Sequence, residues 1–504
     1  MARDNGRSEC DKGELLVSRL HAAGRKRRKK KKVLRLTVPM IDRLFWRAGF
    51  GPTEADRTRW RNRPVVSLVD WFLNTKPALK GPTPTRDGNR LDPTAEDVDL
   101  VLEWVDRMVR STNPFPERMA FFWHRHFANA RDGGPSQQML RKQAELFRKY
   151  ANFGANPNAT FRDLVNDITV DPSMLRYLTG EDNVRGHSNE NYARELMELF
   201  CLGVRDEKGR FCYSEGDVRH LAKSFTGWQI DERDPDNPKG TFDSGRWSNG
   251  MKSPFGITGN FLAYRRGDPQ YRPEKDAVEL VLRRPGQPGS AADARKPYDT
   301  HARFLLRKLW HEFIVTPPDA TTMNDLVKTY LAPIKGGRPG LLLRPVLRKI
   351  LSHKLMFESI SEPNMVKPPI VYVVGLYRSF GLGIKDQTAF DFLERMGQLP
   401  YNPPNVSGWE GGLSWLNTNT VLSRFALAGE LLDRKAPKDR PGETAPQAVD
   451  RALREIGRPW IATGSNKTIK DYAARAPSDR TDLRIERQRM IRALVLAGPD
   501  AQVM

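Results

Sequence analysis

Apolar residues recur at helical spacing along most of this chain, and two-residue alternation is almost absent. That pattern constrains the fold more than any other feature, because apolar stripes at a period near 3.6 residues can be buried only as helices. The periodicity begins at Met40, where Ile41, Leu44 and Phe45 follow, and stops at Gly49-Phe50-Gly51-Pro52. It predicts further helices over 92–110, 116–130, 137–153, 161–178, 301–313, 321–330, 341–352 and 370–380. The second of these opens with proline in its first turn after Asn113-Pro114. The expected fold class is therefore mainly α: a multi-helix globular domain with long irregular loops and few short strands.

Three regions are expected. Residues 1–38 read as a basic disordered tail, 39–430 as the helical domain, and 431–504 as a linker followed by a small helical C-terminal extension. Within the domain, a loop-rich insertion runs over about 231–300, since Asp231 to Pro273 is rich in Gly, Pro, Asp and Asn and has no sustained periodicity. At 504 residues the chain can bury a large core. No run approaches the 18 apolar residues of a membrane-crossing helix. Cys10, Cys201 and Cys212 are too few and scattered for a disulfide framework or a thiolate zinc site.

The formal net charge is +22, and Arg25, Lys26, Arg27, Arg28, Lys29, Lys30, Lys31 and Lys32 supply eight of those charges. Such a run repels itself and stays solvated, and it offers polyanions such as RNA or DNA a contact driven by counterion release. The Val33-Leu34-Arg35-Leu36-Thr37-Val38-Pro39 stretch that follows is broken too early to be a signal-peptide core. With no export signal read, a cytoplasmic location is expected.

Chemistry concentrates in four stretches. In Asn189–Leu202, Ser188 or Asn189 can cap a helix and Glu190 suits its first turn. Tyr192, Leu196 and Leu199 form the core stripe, and Arg194 stands four residues from both Glu190 and Glu198, as an ion-pair ladder requires. The sharper reading makes Glu195 and Glu198 an acid–base pair, or metal ligands completed by a histidine from another helix. In Trp123-His124-Arg125-His126-Phe127, positions i and i+2 differ by about 200° on a helix, so the two histidines cannot chelate one ion together. His126 lies beside the apolar face formed with Met119, Phe122, Trp123 and Phe127, and His124 points away. His126 is thus the histidine to expect in any catalytic site, against the plainer reading of a packed, hydrogen-bonded side chain. Ser214-Glu215-Gly216-Asp217 opens a helix that runs to Phe225, with Gly227 and Trp228 expected as its C-terminal cap. The loop Gln398–Asn417 sets Trp409 and Trp415 among Asn402, Asn405 and Asn417, a mixture that suits sugars or peptides unless the rings merely anchor the loop. Phosphate-loop, dinucleotide, His-Glu-x-x-His and Gly-x-Ser-x-Gly motifs are absent.

These stretches, together with Arg47-Ala48-Gly49-Phe50-Gly51, Phe304–Phe313 and Lys367–Gly381, resemble the bacterial family called domain of unknown function 1800. The resemblance runs from about Leu44 to Arg424. It implies a helical protein with no agreed activity, often exported and often encoded beside a sulfatase-like protein, which makes a partner of that class the expected one. Two departures fall where chemistry could sit. Phe200 stands where relatives often carry histidine, and Ser248-Asn249-Gly250 where they carry a His-Asp pair. Three functional readings follow. The leading one is a non-catalytic accessory or scaffold protein. Its site residues are Asn189, Glu190, Arg194, Trp123, Trp228, Asn405, Trp409, Trp415 and Asn417, and no cofactor is expected. The rivals are a hydrolase, with or without a divalent metal, built on Glu195, Glu198 and His126, and a polyanion binder acting through 25–32.

Overall fold

The computed structural model describes residues 33–259, 274–284 and 296–504. The basic run 25–32 and parts of the expected insertion lie outside the described residues. Among those described, twenty α-helices are joined by loops, and β-structure is limited to two antiparallel pairs, Thr85–Arg86 with Asn89–Arg90 and Trp228–Asp231 with Lys239–Phe242. The protein is mainly α, as the periodicity requires.

The helices that position the site are α1 (Val38–Arg47), α2 (Glu54–Trp60), α3 (Val65–Asn74), α4 (Asp97–Arg110), α5 (Phe115–His126) and α6 (Gln137–Ala151). On α4 the buried side chains Leu100, Val101, Trp104, Val105 and Met108 fall on one stripe, which packs against α5 and α6. The Trp104 indole N–H donates to Glu117 Oε2 at 2.9 Å, and Arg148 pairs with the same carboxylate at 2.9 Å. A buried carboxylate is tolerated there because both a donor and a cation satisfy it.

The expected helix over 161–178 is two helices, α7 (Phe161–Thr169) and α8 (Pro172–Tyr177). Pro172 cannot continue α7, and Asp171 starts α8 by accepting the Met174 N–H at 3.0 Å. Burial raises the Asp171 carboxyl to about 7. The Asn189–Leu202 stretch also departs from a plain helix. It is α9 (Asn191–Glu195) continued by a π-helical turn, Leu196–Cys201. An i→i+5 turn accommodates one residue more than an α-turn, so the phase slips by about 100°. Phe200 therefore enters the core, while Leu199, expected there, is only partly buried.

The capping box before α10 (Glu215–Ser224) is present, with Ser214 Oγ and Asp217 exchanging hydrogen bonds. Gly227 does not cap α10 and instead starts the hairpin. Its φ of 90° lets the backbone approach Asp243, whose N–H donates to the Gly227 carbonyl at 2.8 Å, and Trp228 packs on Phe242 across the strands. Helix α11 (Glu274–Arg283) falls inside the segment expected to be loop-rich; Ala277, Val278 and Val281 bury its inner face. After α12 (Asp299–Phe313), α13 (Ala320–Tyr330), α14 (Leu343–Leu351), α15 (Pro369–Phe380) and α16 (Thr388–Arg395), the long α17 (Thr418–Arg434) packs on the last helix, α20 (Thr481–Ala497). Helices α18 (Ala445–Glu455) and α19 (Thr463–Arg475) complete that cluster, and Leu36–Met504 forms one compact unit.

Candidate functional site

The π-helical turn leaves its last carbonyls without helical partners, as every helix end does. Three consecutive carbonyls are met by side chains from other helices. Lys308 Nζ on α12 donates to the Leu199 carbonyl at 2.7 Å. His126 Nε2 at the end of α5 lies 3.0 Å from the Phe200 carbonyl, and His301 Nδ1 at the start of α12 lies 3.0 Å from the Cys201 carbonyl. A carbonyl only accepts, so each of these ring nitrogens carries the proton. His301 Nε2 then accepts from the Tyr330 hydroxyl at 2.8 Å, whereas His126 Nδ1 is buried without a partner. Burial drives both histidines toward the neutral form, His301 to about 4 and His126 well below the ordinary value. Lys308 falls to about 8 for the same reason.

His124 was expected to point away from the core, and it does not. The loop after α16 covers that side of α5, so His124 is buried between Trp104, Tyr401 and Trp409, with Nε2 accepting the Tyr401 N–H at 2.9 Å. Burial lowers it to about 3. Trp123 is likewise fully buried, against Phe122, His126 and Phe161.

Glu195, the last residue of α9, and Glu198, on the turn, are half-buried neighbours. Glu198 accepts the Tyr213 hydroxyl at 2.6 Å. Glu195 is raised, first by burial and then by the Glu198 charge. Neither glutamate makes a hydrogen bond or ion pair with His126, whose ring sits among Phe122, Phe127, Phe161 and Phe200. Arg194 pairs with Glu190 at 3.1 Å and with Glu215 at 2.7 Å, so the ladder expected to reach Glu198 turns toward α10 instead. Asn189 holds the approach to α9: its Oδ1 accepts the Asn191 N–H, and its Nδ2 donates to Thr179 Oγ1 at 2.7 Å. Among the described residues, no group of three or more His, Cys, Asp or Glu side chains is placed to hold a metal ion.

The Trp-rich loop builds one wall of an open cleft of about 810 Å³ between the end of α16 and the start of α17. Asn405 Oδ1 accepts the Ser407 N–H at 2.8 Å, and Asn417 is the N-cap of α17 in a reciprocal capping box with Thr420. Trp409 is stacked on Phe121 at 5.5 Å and 18°, and Trp415 is also buried, so the two rings line the cleft with little of their surface exposed. Gly408 has a φ of 82°, and a Cβ there would meet the Arg125 carbonyl at 2.5 Å, which seats the loop against α5. Glu394, Arg395 and Glu410 supply the charged groups of the cleft, and Asn405, Asn417 and Asn419 its amides.

Sequence reasoning missed Lys308, His301 and Tyr213. The signal for Lys308 was available, since an ammonium inside the apolar spacing of Leu305, Leu306 and Leu309 marks a cation facing a neighbouring helix.

A many-helix protein whose polar motif residues cap one π-turn, beside a motif-walled cleft, is the class that this architecture defines. The chain belongs to the family described as protein of unknown function DUF1800, whose model matches residues 43–503. The match continues past Arg424 and takes in the C-terminal helices. No protein of curated function and no solved structure matches it.

Proposed function

We propose that this chain is a non-catalytic accessory protein that seats an extended polypeptide segment of a partner in the cleft between α16 and α17. The observation that carries the reading is the use made of the motif residues. His126, His301 and Lys308 spend their donors on main-chain carbonyls, and His124 spends its acceptor on a main-chain amide. Groups committed in this way hold architecture: three of them cap the π-helical turn, and His124 holds Tyr401 of the motif loop that faces the cleft. The lining favours peptide over sugar. Sugars stack on open aromatic faces, whereas Trp409 and Trp415 line the cleft while largely buried, Trp409 with a face committed to Phe121, and Glu394, Arg395, Glu410 and Asn419 offer both signs of charge and an amide to a polar backbone. The family resemblance names the source to try first, a sulfatase-like protein of the kind often encoded beside family members.

Titration calorimetry between the two purified proteins tests this. N419R and E410R, on exposed positions, should weaken association at least about tenfold with melting temperature unchanged. Unaltered affinity in both variants would sink the cleft. A hydrolase reading is favoured by one observation, the unequal environments of Glu195 and Glu198. Turnover of an ester or peptide substrate that vanishes in E195Q would replace the accessory reading with that one.

A further inference from the structure

At the C-terminal end of α15, a second cleft of about 710 Å³ opens between α2, α3, the end of α4 and the turn after α15. Its cations outnumber its acids. Arg59, Lys80, Arg110 and Arg378 line it against one lining carboxylate, Asp56. Asp56 Oδ2 is occupied by the N–H and hydroxyl of Thr53, in the capping box of α2. Arg110 is matched by Asp106 at 2.7 Å. The other three cations have no carboxylate partner among the described residues. Arg378 is the telling one. Its NH1 donates to the carbonyls of Met108, Val109 and Ser111 at 3.3, 2.8 and 3.1 Å, capping α4, yet its Nε is buried and unpartnered. Burial works against the Arg378 charge and the Asp56 carboxylate supports it, and an oxyanion in the cleft would support it further.

Arg59 lies on the rim with its guanidinium 4.9 Å from the Trp60 ring centre and 5.2 Å from that of Trp71. Stacking fixes the plane of the fork and leaves its N–H edge to pair with an oxyanion in two-point fashion. Trp71 also lines the cleft, so an aromatic surface stands beside the cations. We infer that this cleft binds a ligand carrying a tetrahedral oxyanion, of the phosphate-monoester type, with the anion between Arg59, Lys80 and Arg378 and an apolar or aryl body against Trp71. The site is separate from the cleft assigned to a partner segment and does not depend on that assignment.

Calorimetry on the full chain with phenyl phosphate, inorganic phosphate and phosphatidic acid in phosphatidylcholine vesicles tests the inference. Phenyl phosphate should bind more tightly than inorganic phosphate, and R59A/K80A should weaken it at least about tenfold. K80E alone, on an exposed side chain, keeps the test open should the Arg59 change disturb the Trp60–Trp71 contact. Capture by the vesicles without phenyl phosphate binding, lost in the same variants, would identify a lipid headgroup as the source of the anion. Failure of all three probes, or binding indifferent to the loss of Arg59 and Lys80, would overturn the site.

Discussion

His126 shows what a buried histidine does when it holds architecture. It is neutral in the folded chain and exposed to protonation near its ordinary value once unfolded, so unfolding takes up a proton below about pH 6.5. The folded value is depressed, and the stability this group contributes is therefore complete above pH 6.5 and is lost as pH falls. Asp171, raised to about 7, and Asp42, raised to about 6, act in the opposite sense, since the folded state binds those protons more tightly. A difference between two proteins cancels them. His126→Gln should lose about 1–3 kcal/mol at pH 8, through altered packing and a poorer bond to the Phe200 carbonyl. That gap should close by about 1.4 kcal/mol per pH unit below 6.5, because only the wild type pays for proton uptake. Urea titrations of both proteins at pH 8, 6 and 5 would check it. A gap that stays constant with pH would mean that folding leaves the protonation of His126 unperturbed.

At the level of elements, the sequence told most where local rules decide and least where tertiary contacts do. The capping box at Ser214–Asp217, the proline start of α5 and the core stripe of α4 follow from spacing and side-chain chemistry alone. The π-turn could not be read in that way, because an α-helix and an α-helix with one extra residue share the same apolar spacing over a single turn. Its carbonyls are satisfied by Lys308 and His301, 109 and 100 positions further along the chain than Leu199 and Cys201. His124 was misplaced for a similar reason, since the loop that buries it arrives 277 positions later. Of the candidate site, the carboxylates were found as neighbours, but their convergence on a histidine was not, and the two tryptophans serve as anchors. The cap on α17 gives a direct test. Replacing Asn417 by alanine removes the acceptor for the Thr420 N–H at 3.0 Å and should cost about 1 kcal/mol. Thermal melting should register it, and no loss would mean that the loop, rather than the cap, fixes the start of α17.

At the scale of the whole molecule, the C-terminal residues are wired into the body. The Ala501 carbonyl accepts from Lys367 Nζ at 2.8 Å, Gln502 Oε1 accepts from Arg424 at 3.1 Å, and Tyr372 donates to the Leu496 carbonyl at 3.0 Å. Lys367 is buried over the Trp46 ring at 3.8 Å and is pushed down to about 7, and Arg424 is fully buried. Removing residues 435–504 would strip the Lys367 ammonium of its hydrogen-bond partner, at about 1–3 kcal/mol, and take one of two partners from Arg424 and Tyr372, which keep the Lys367 and Arg424 carbonyls. It would also expose the apolar side chains that Ile491, Val495 and Leu496 now cover, at about 1.5–3 kcal/mol for each side chain laid bare. Losses of that size match the whole stability of an ordinary domain, about 5–15 kcal/mol. A chain ending at Arg434 should therefore fail to reach a cooperative fold, although it contains nearly the entire extent of the motifs. Circular dichroism during heating decides this. A sharp transition in the shortened chain would show that the C-terminal helices are an accessory layer and that the motif-bearing body stands alone.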